Sequence, residues 1–224
     1  MSEQRISRKE LHQPDRIQKW LYTASNFIFK NQKWFIAGSI ALVVIIIGIL
    51  SGMRYYQTEQ IKQANLLYEA QKAVNEAIDG KEEQQQSALK AIESFLADFP
   101  DEMNTAIAWT YLGKLYVSQK KWGQAEESYK KAAEHPKAII GMINAAKLSL
   151  AVVYENQQQW DAANKILQSI EGENWRDVRW KNLAHIALMQ GDKNTAKSNL
   201  EQLIKETPQS VFKREAESIL LTLN

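Results

Sequence analysis

The stretch that decides the fold is residues 109–116, which reads WTYLGKLY. Its large and small residues follow the spacing Trp-x2-Leu-Gly-x2-Tyr, which fits the period of a helix. A second group follows after a short polar interval and consists of Ala125, Tyr129, Ala132 and Pro136. We expect two antiparallel helices here, because large side chains would fill the space between them and small ones would lie where the backbones cross.

The same pattern returns twice farther along the chain. Leu112-Gly113 in the first copy corresponds to Leu150-Ala151, 38 residues on, and to Leu183-Ala184, 33 residues later. The other matched positions are Tyr154, Trp160, Ala163, Leu167 and Ile170 in the second copy and Trp180, Gly191-Asp192, Ala196, Leu200, Leu203 and Pro208 in the third. Repeats of about 34 residues with this pattern are typical of tetratricopeptide (TPR) helix pairs. Residues 102–209 are therefore predicted to form three TPR-like repeats.

The flanking segments extend this array. Residues 54–101 predict a degenerate first repeat and stalk, with a helix from about Tyr55 to Asp79 and a turn at Gly80-Lys81. The second helix of that repeat carries Ala88, Ile92, Phe95 and Pro100. Residues 210–224 predict an amphipathic capping helix, since the last repeat of an array needs a soluble cover. The expected domain is a short right-handed solenoid.

A run of twenty uncharged residues, WFIAGSIALVVIIIGILSGM, occupies positions 34–53. As a helix, this run extends roughly 30 Å, the thickness of the hydrocarbon layer of a bilayer. It is longer than the apolar core of a cleaved signal peptide and lacks a convincing cleavage site. The sequence thus predicts an all-α protein, in which a single N-terminal transmembrane helix is followed by a TPR-type α-solenoid.

Charge is distributed unevenly about this run. Seven basic residues precede it (Arg5, Arg8, Lys9, Arg16, Lys19, Lys30 and Lys33) against three acidic ones (Glu3, Glu10 and Asp15). The positive-inside rule therefore predicts a cytoplasmic N-terminus and a translocated C-terminal domain. Of the 28 basic and 26 acidic residues in the chain, 21 and 23 lie beyond the run, so that part is mildly acidic. Nucleic acid is not an expected partner, because proteins that bind it are usually strongly basic on one face.

Residues 1–33 are predicted to be a basic cytoplasmic arm. Its apolar residues recur at helical spacing at Ile17, Trp20, Leu21, Ala24, Phe27 and Ile28. This spacing favours a helix on the membrane surface, and the alternative is a poorly ordered tail. Within the apolar run, Gly48 and Gly52 form a small-xxx-small pair that predicts contact with another membrane helix, although glycines are common in membrane spans.

Catalytic chemistry has no support in the sequence. The chain has no cysteine, and its three histidines (His12, His135 and His185) are dispersed. No phosphate-binding glycine loop, serine nucleophile motif or dinucleotide fingerprint occurs. We therefore expect no enzyme activity, no catalytic residues, no metal or cofactor site and no small-molecule substrate. The tryptophans at 109, 122, 160 and 180 fall on core positions of the repeats. Trp175 falls between repeats, so it is the exception and a candidate binding residue.

TPR arrays usually hold a peptide or a partner helix on the face formed by the first helix of each repeat. Projection of the exposed positions of those helices predicts a partner-binding groove. Its residues are Tyr111, Lys114, Ser149, Val152, Asn156, Lys181, Asn182, His185 and Met189. The basic and asparagine pattern that captures a C-terminal carboxylate in some TPR proteins is not reproduced.

The chain resembles the YfgM-like ancillary subunits of the SecYEG translocon. The resemblance extends from the apolar run to the C-terminus and includes two local stretches, IEGENW at positions 170–175 and Leu188-x2-Gly191-Asp192-x3-Ala196. The arm is longer and more basic than in that family, and Leu183-Ala184-His185 stands where the family tends to show an Arg-Gly-acid triplet. The resemblance implies a single-pass protein of the bacterial inner membrane with a periplasmic TPR domain. It also implies contacts with the SecYEG translocon and with periplasmic chaperones or exported clients.

Two function classes follow from these observations. The first is a membrane-anchored TPR interaction scaffold, an accessory of the Sec translocon that contacts exported proteins or periplasmic chaperones. The second is a structural or assembly subunit of another bacterial envelope complex, which would use its span and arm for assembly.

Overall fold

The structure, a computed structural model, describes residues 16–223. All regular elements in this range are helices, which confirms the all-α class. They are α1 (Arg16–Lys30), α2 (Gln32–Ala77), α3 (Glu82–Asp98), α4 (Thr105–Ser118), α5 (Trp122–Ala133), α6 (Ile140–Asn156), α7 (Trp160–Gln168), the short 3-10 helix Glu173–Trp175, α8 (Arg176–Met189), α9 (Lys193–Glu206) and α10 (Lys213–Leu223). The first fifteen residues of the arm, including His12, and Asn224 lie outside the described part. The chain divides into two units, Met1–Gln60 and Ile61–Asn224.

The first unit contains α1 and the beginning of α2. Residues 34–53 are helical throughout, and every one of them is exposed. This exposure distinguishes them from the core helix of a soluble domain, which is buried. Helix α2 is the one helix within residues 16–223 that is long and apolar enough to cross a membrane. The predicted N-terminal apolar helix is therefore confirmed, with its start at Gln32.

The second unit is a row of helix pairs with three apolar clusters. The first cluster joins α2, α3 and α4 through Val74, Ile92, Leu112 and Leu115, all buried. The second joins α5 to α8, and the third joins α8, α9 and α10. Ala88, Ile92 and Phe95 of the degenerate repeat are at most 1% exposed. The size pattern in the sequence thus identifies the residues that fill the space between the helices.

The turn inside each of the three pairs has one geometry. Lys120, Gln158 and Gly191 occupy equivalent positions, with φ of 56°, 56° and 77°. In each turn the N–H of the following residue donates to the carbonyl five positions earlier. The N···O distances are 2.9 Å for Lys121 to Tyr116, 2.8 Å for Gln159 to Tyr154 and 2.9 Å for Asp192 to Ala187. This is the Schellman motif, which closes a helix on a left-handed residue.

Helix ends differ from the sequence prediction in two places. The first helix of the degenerate repeat ends at Ala77 rather than at Asp79, because the chain turns through Gly80, whose N–H binds the Ala77 carbonyl at 3.1 Å. The C-terminal helix begins at Lys213 rather than at Ser210. The Ser210 hydroxyl donates to Asp177 Oδ2 at 2.7 Å and accepts the Phe212 N–H at 3.1 Å, so Ser210 tethers the turn that precedes α10.

Candidate functional site

The nine predicted groove residues lie on α4, α6 and α8, and none of them is buried. Lys114, Val152 and His185 are equivalent exposed residues of the three helices, each preceded by two buried residues and followed by at least one. This local pattern determines which side of each helix is exposed, because the buried neighbours pack in the apolar clusters. We call this surface, formed by the nine residues, the first-helix face.

Polar side chains on this face connect neighbouring first helices. Lys114 Nζ donates to Asn75 Oδ1 of α2 at 3.0 Å. His185 Nε2 lies 2.7 Å from Glu155 Oε1 of α6. These contacts cross from one repeat to the next, so the residues that a partner would touch also position one another.

Lys181 makes the corresponding contact at the end of the array. Its Nζ pairs with Glu215 Oε2 of α10 at 2.9 Å and lies 4.3 Å from the centroid of the Phe212 ring. Helix α10 thereby extends the first-helix face beyond the third repeat.

A pocket of about 120 Å³ opens where α8, α9 and α10 meet. Lys181, Asn182 and His185 of the first-helix face form part of its lining. Leu188, Phe212 and Ile219 contribute apolar surface. A cavity of this size holds about one mid-sized side chain. The pocket suits an apolar side chain of a peptide whose backbone remains near the polar groups.

Three predicted residues are already engaged locally. Asn156 Nδ2 donates to the Val152 carbonyl at 2.8 Å, and Asn182 Nδ2 donates to the Val178 carbonyl at 2.7 Å. Ser149 donates to the Ala145 carbonyl at 3.0 Å, and its side chain lies beside that of the buried Tyr129. Ser149 therefore lies at the border between the first-helix face and the core. Tyr111 is half-buried against the first apolar cluster, and Met189 is 56% exposed.

The tryptophans pack on the core, as the repeat pattern predicts. Trp109 lies against the first cluster, and Trp122, Trp160 and Trp180 lie against the second. Trp175, the exception in the sequence, is also half-buried against the second cluster. Its role in this structure is packing.

The loop before Trp175 explains the IEGENW stretch. Three of its carbonyl groups accept side-chain hydrogen bonds. Lys147 Nζ donates to the Ser169 carbonyl at 2.6 Å, Arg179 donates to that of Ile170 at 3.1 Å, and Asn144 Nδ2 donates to that of Glu171 at 2.7 Å. Gly172 then turns the chain with φ of 95°. The stretch is thus a fixed connection between α7 and α8.

No group of three or more potential metal ligands occurs among residues 16–223. His135 Nε2 lies 3.4 Å from the Pro100 carbonyl, and His185 is paired with Glu155 as described. In the apolar helix, Gly48 and Gly52 have no atom within 4 Å of a Cβ built on them, so both are open to a neighbouring helix.

The chain matches the tetratricopeptide repeat-like domain family over residues 26–221. It is similar to the ancillary SecYEG translocon subunit of Escherichia coli (strain K12), with 29% identity over 171 residues, 73% of this chain and 77% of the relative. It is also similar to the ancillary SecYEG translocon subunit of Aggregatibacter actinomycetemcomitans, with 26% identity over 164 residues, 73% of this chain and 78% of the relative. These findings confirm the resemblance based on the repeats and the two local stretches.

Proposed function

The chain belongs to the tetratricopeptide repeat-like domain family, and we propose that it is a membrane-anchored interaction scaffold that serves the Sec translocon. The observation that carries this proposal is the first-helix face together with its pocket at α10. TPR arrays bind proteins through such faces, and the pocket offers one apolar anchor site beside polar groups.

The association with the translocon is supported by two relatives, both ancillary SecYEG translocon subunits, which this chain matches over most of their length. Helix α2 would anchor the protein in the bacterial inner membrane, with its N-terminus in the cytoplasm and the TPR domain in the periplasm. The excess of Lys and Arg before the apolar run supports this orientation. The clients on the face would be exported chains or periplasmic chaperones.

Affinity purification in mild detergent tests the scaffold. We compare the wild type with a triple variant of the face, Tyr111→Ala, Lys114→Ala and Asn182→Ala. A matched control carries Asn194→Ala, Ser198→Ala and Glu201→Ala, which change three exposed residues of the second-helix side on α9. The face variant is expected to lose client proteins, because a few anchors carry most of the energy of an interface.

Both variants should keep the far-UV circular dichroism of the wild type, since none of the six side chains is buried. Recovery of the same clients by the face variant and by the control would contradict the use of the face. Loss of clients from the control alone would move the binding surface to the second helices.

A second candidate function, assembly of another envelope complex through the span, is supported by Gly48 and Gly52. Both glycines are open on the surface of the apolar helix and lie one helical turn apart. A partner held in this way would stay bound in the face variant and be lost when the glycines are enlarged.

A further inference from the structure

Helix α1 (Arg16–Lys30) contains no buried residue, and six of its apolar side chains lie on one arc. At about 100° per residue, this arc contains Ile17, Trp20, Leu21, Ala24, Phe27 and Ile28. The opposite side carries Gln18, Ser25 and Asn26, together with the aromatic residues Tyr22 and Phe29. Trp20 is 70% exposed and Phe27 61%. Apolar surface of this extent is unfavourable in water, so the arc needs a cover.

The connection to α2 identifies that cover. One residue, Asn31, separates α1 from α2. Asn31 Nδ2 donates to the Phe27 carbonyl at 2.9 Å, and the Asn31 carbonyl accepts the Trp34 N–H at 2.9 Å. The rings of Phe27 and Phe35 meet edge to face with centroids 6.1 Å apart. Since the apolar run starts at Trp34, α1 ends at the level where that run would enter the bilayer.

Charge on this segment is of one sign. Residues 16–34 contain four basic side chains, Arg16, Lys19, Lys30 and Lys33, and no acidic one. All four are exposed. Basic groups beside an apolar arc are complementary to a surface of anionic headgroups above acyl chains.

We propose that α1 is a lipid-binding helix that lies in the headgroup layer of the membrane. Its apolar arc faces the acyl chains, and its basic side chains contact the phosphates of anionic lipids. This inference rests on the proposed insertion of α2.

Spin labels on the full-length protein test the inference. The chain has no cysteine, so single labels can be placed without other changes. We choose Leu21→Cys and Ala24→Cys on the arc, Tyr22→Cys and Asn26→Cys on the opposite side, and Ile46→Cys in α2 as reference. The protein is reconstituted in vesicles of equal parts phosphatidylethanolamine and phosphatidylglycerol. Collision rates with oxygen, which concentrates in lipid, are compared with those of a water-soluble nickel chelate.

The ratio of the oxygen collision rate to the nickel-chelate collision rate should be several-fold higher for labels on the arc and at Ile46 than for labels at Tyr22 and Asn26. If the Ile46 label lies in lipid while all four α1 labels are equally open to water, the lipid-binding helix is disproved and the membrane anchor stands. If the Ile46 label is itself open to water, the anchor fails, and the inference fails with it.

The role of charge is tested with Lys19→Gln, Lys30→Gln and Lys33→Gln together, against a control with Arg at the same three positions. In the anionic vesicles, the Gln variant should shift the Leu21 and Ala24 labels towards the nickel chelate, and the Arg control should not. The difference should vanish in vesicles of phosphatidylcholine alone. An identical pattern for the Gln and Arg variants in both vesicles would show that anionic lipid is not the ligand.

Discussion

Gly113 and Tyr129 approach so closely that a Cβ on residue 113 would lie 2.7 Å from Cε1 of the tyrosine ring. The pair joins α4 to α5 at the centre of the first complete repeat. Ala125, on the same crossing, is fully buried. The close approach is the reason for a glycine in the TPR pattern at this place, and it makes the crossing sensitive to added volume.

Replacement of Gly113 by Leu should lower the free energy of unfolding by about 1–3 kcal/mol or more, because the added atoms overpack the crossing. Ala125→Leu should act in the same direction. The matched control is Gly123→Ala in α5, where a Cβ would meet nothing within 4 Å. The control should be neutral or stabilise by about 0.5–1 kcal/mol, since Ala favours a helix over Gly. Thermal unfolding followed by circular dichroism measures all three, and a normal Tm for Gly113→Leu would contradict the helix register.

Burial raises the pKa of Tyr129 to about 12, and the neighbouring Ser149 side chain opposes that effect. A Tyr with a raised pKa keeps its proton in the folded state when the unfolded chain loses it. Its contribution to stability is therefore complete below about pH 10 and is lost as the pH rises towards about 12. The loss should be roughly 2–3 kcal/mol, measured by urea unfolding across that range. Tyr129→Phe should flatten this part of the curve, and equal curves for both proteins would show that Tyr129 ionises freely in the folded state.

Lys120 and Gln158 hold left-handed turns with φ of 56°, where a Cβ is strained. Lys120→Gly and Gln158→Gly should each stabilise the fold by up to about 1 kcal/mol. Gly191→Ala should destabilise it by about the same amount. Since a Cβ at Gly191 would meet no atom within 4 Å, that effect would come from the backbone alone. Differential scanning calorimetry measures the Tm of the three variants. A Tm that moved in the same direction in all three would contradict the assignment of left-handed turns at these positions.

Orientation in the membrane can be read with two reporters fused after residue 224. A reporter that is active only in the cytoplasm should be silent, and one that is active only outside it should give signal, because the basic residues before the span remain inside. The control fusion is placed before residue 34 and should give the opposite pair of results. Cytoplasmic activity of the C-terminal fusion would contradict both the topology and a periplasmic role.

Gly48→Leu with Gly52→Leu should release any partner that packs on the span, since close approach of two membrane helices needs small residues at the contact. Ser39→Leu is the matched control, because Ser39 is a small, exposed residue that lies about 180° from Gly48 and about 140° from Gly52 around the helix. Co-purification in mild detergent compares the two variants. Retention of every partner by the Gly48 and Gly52 variant would show that the glycines are not a contact surface.

The sequence reveals those parts of the fold that are set by local size and period. Leu112, Leu150 and Leu183 repeat with their small neighbours, so the helix pairs and their cores follow from spacing alone. The turns at Lys120 and Gln158 are different, because neither residue type signals a left-handed conformation. Only their alignment with Gly191 would have indicated it.

The pocket at α10 could not be predicted from the sequence. It depends on contacts such as the one between Lys181 and Glu215. These residues lie on α8 and α10, two helices that share no repeat motif in the sequence. The sequence predicts Lys181, Asn182 and His185 as exposed residues of one helix. It does not predict that Phe212 and Ile219 would close over them, since the docking of α10 is a tertiary arrangement.

Helix α10 takes the place that the first helix of a further repeat would occupy. It covers Leu200 and Leu203 of α9, and its Glu215 binds Lys181 much as Glu155 of α6 binds His185. A complete helix pair inserted between Glu206 and Lys213 would therefore find a surface already suited to receive it, and α10 would close the longer array in the same way. The number of repeats is then a modular quantity that this architecture can increase without redesign of the core.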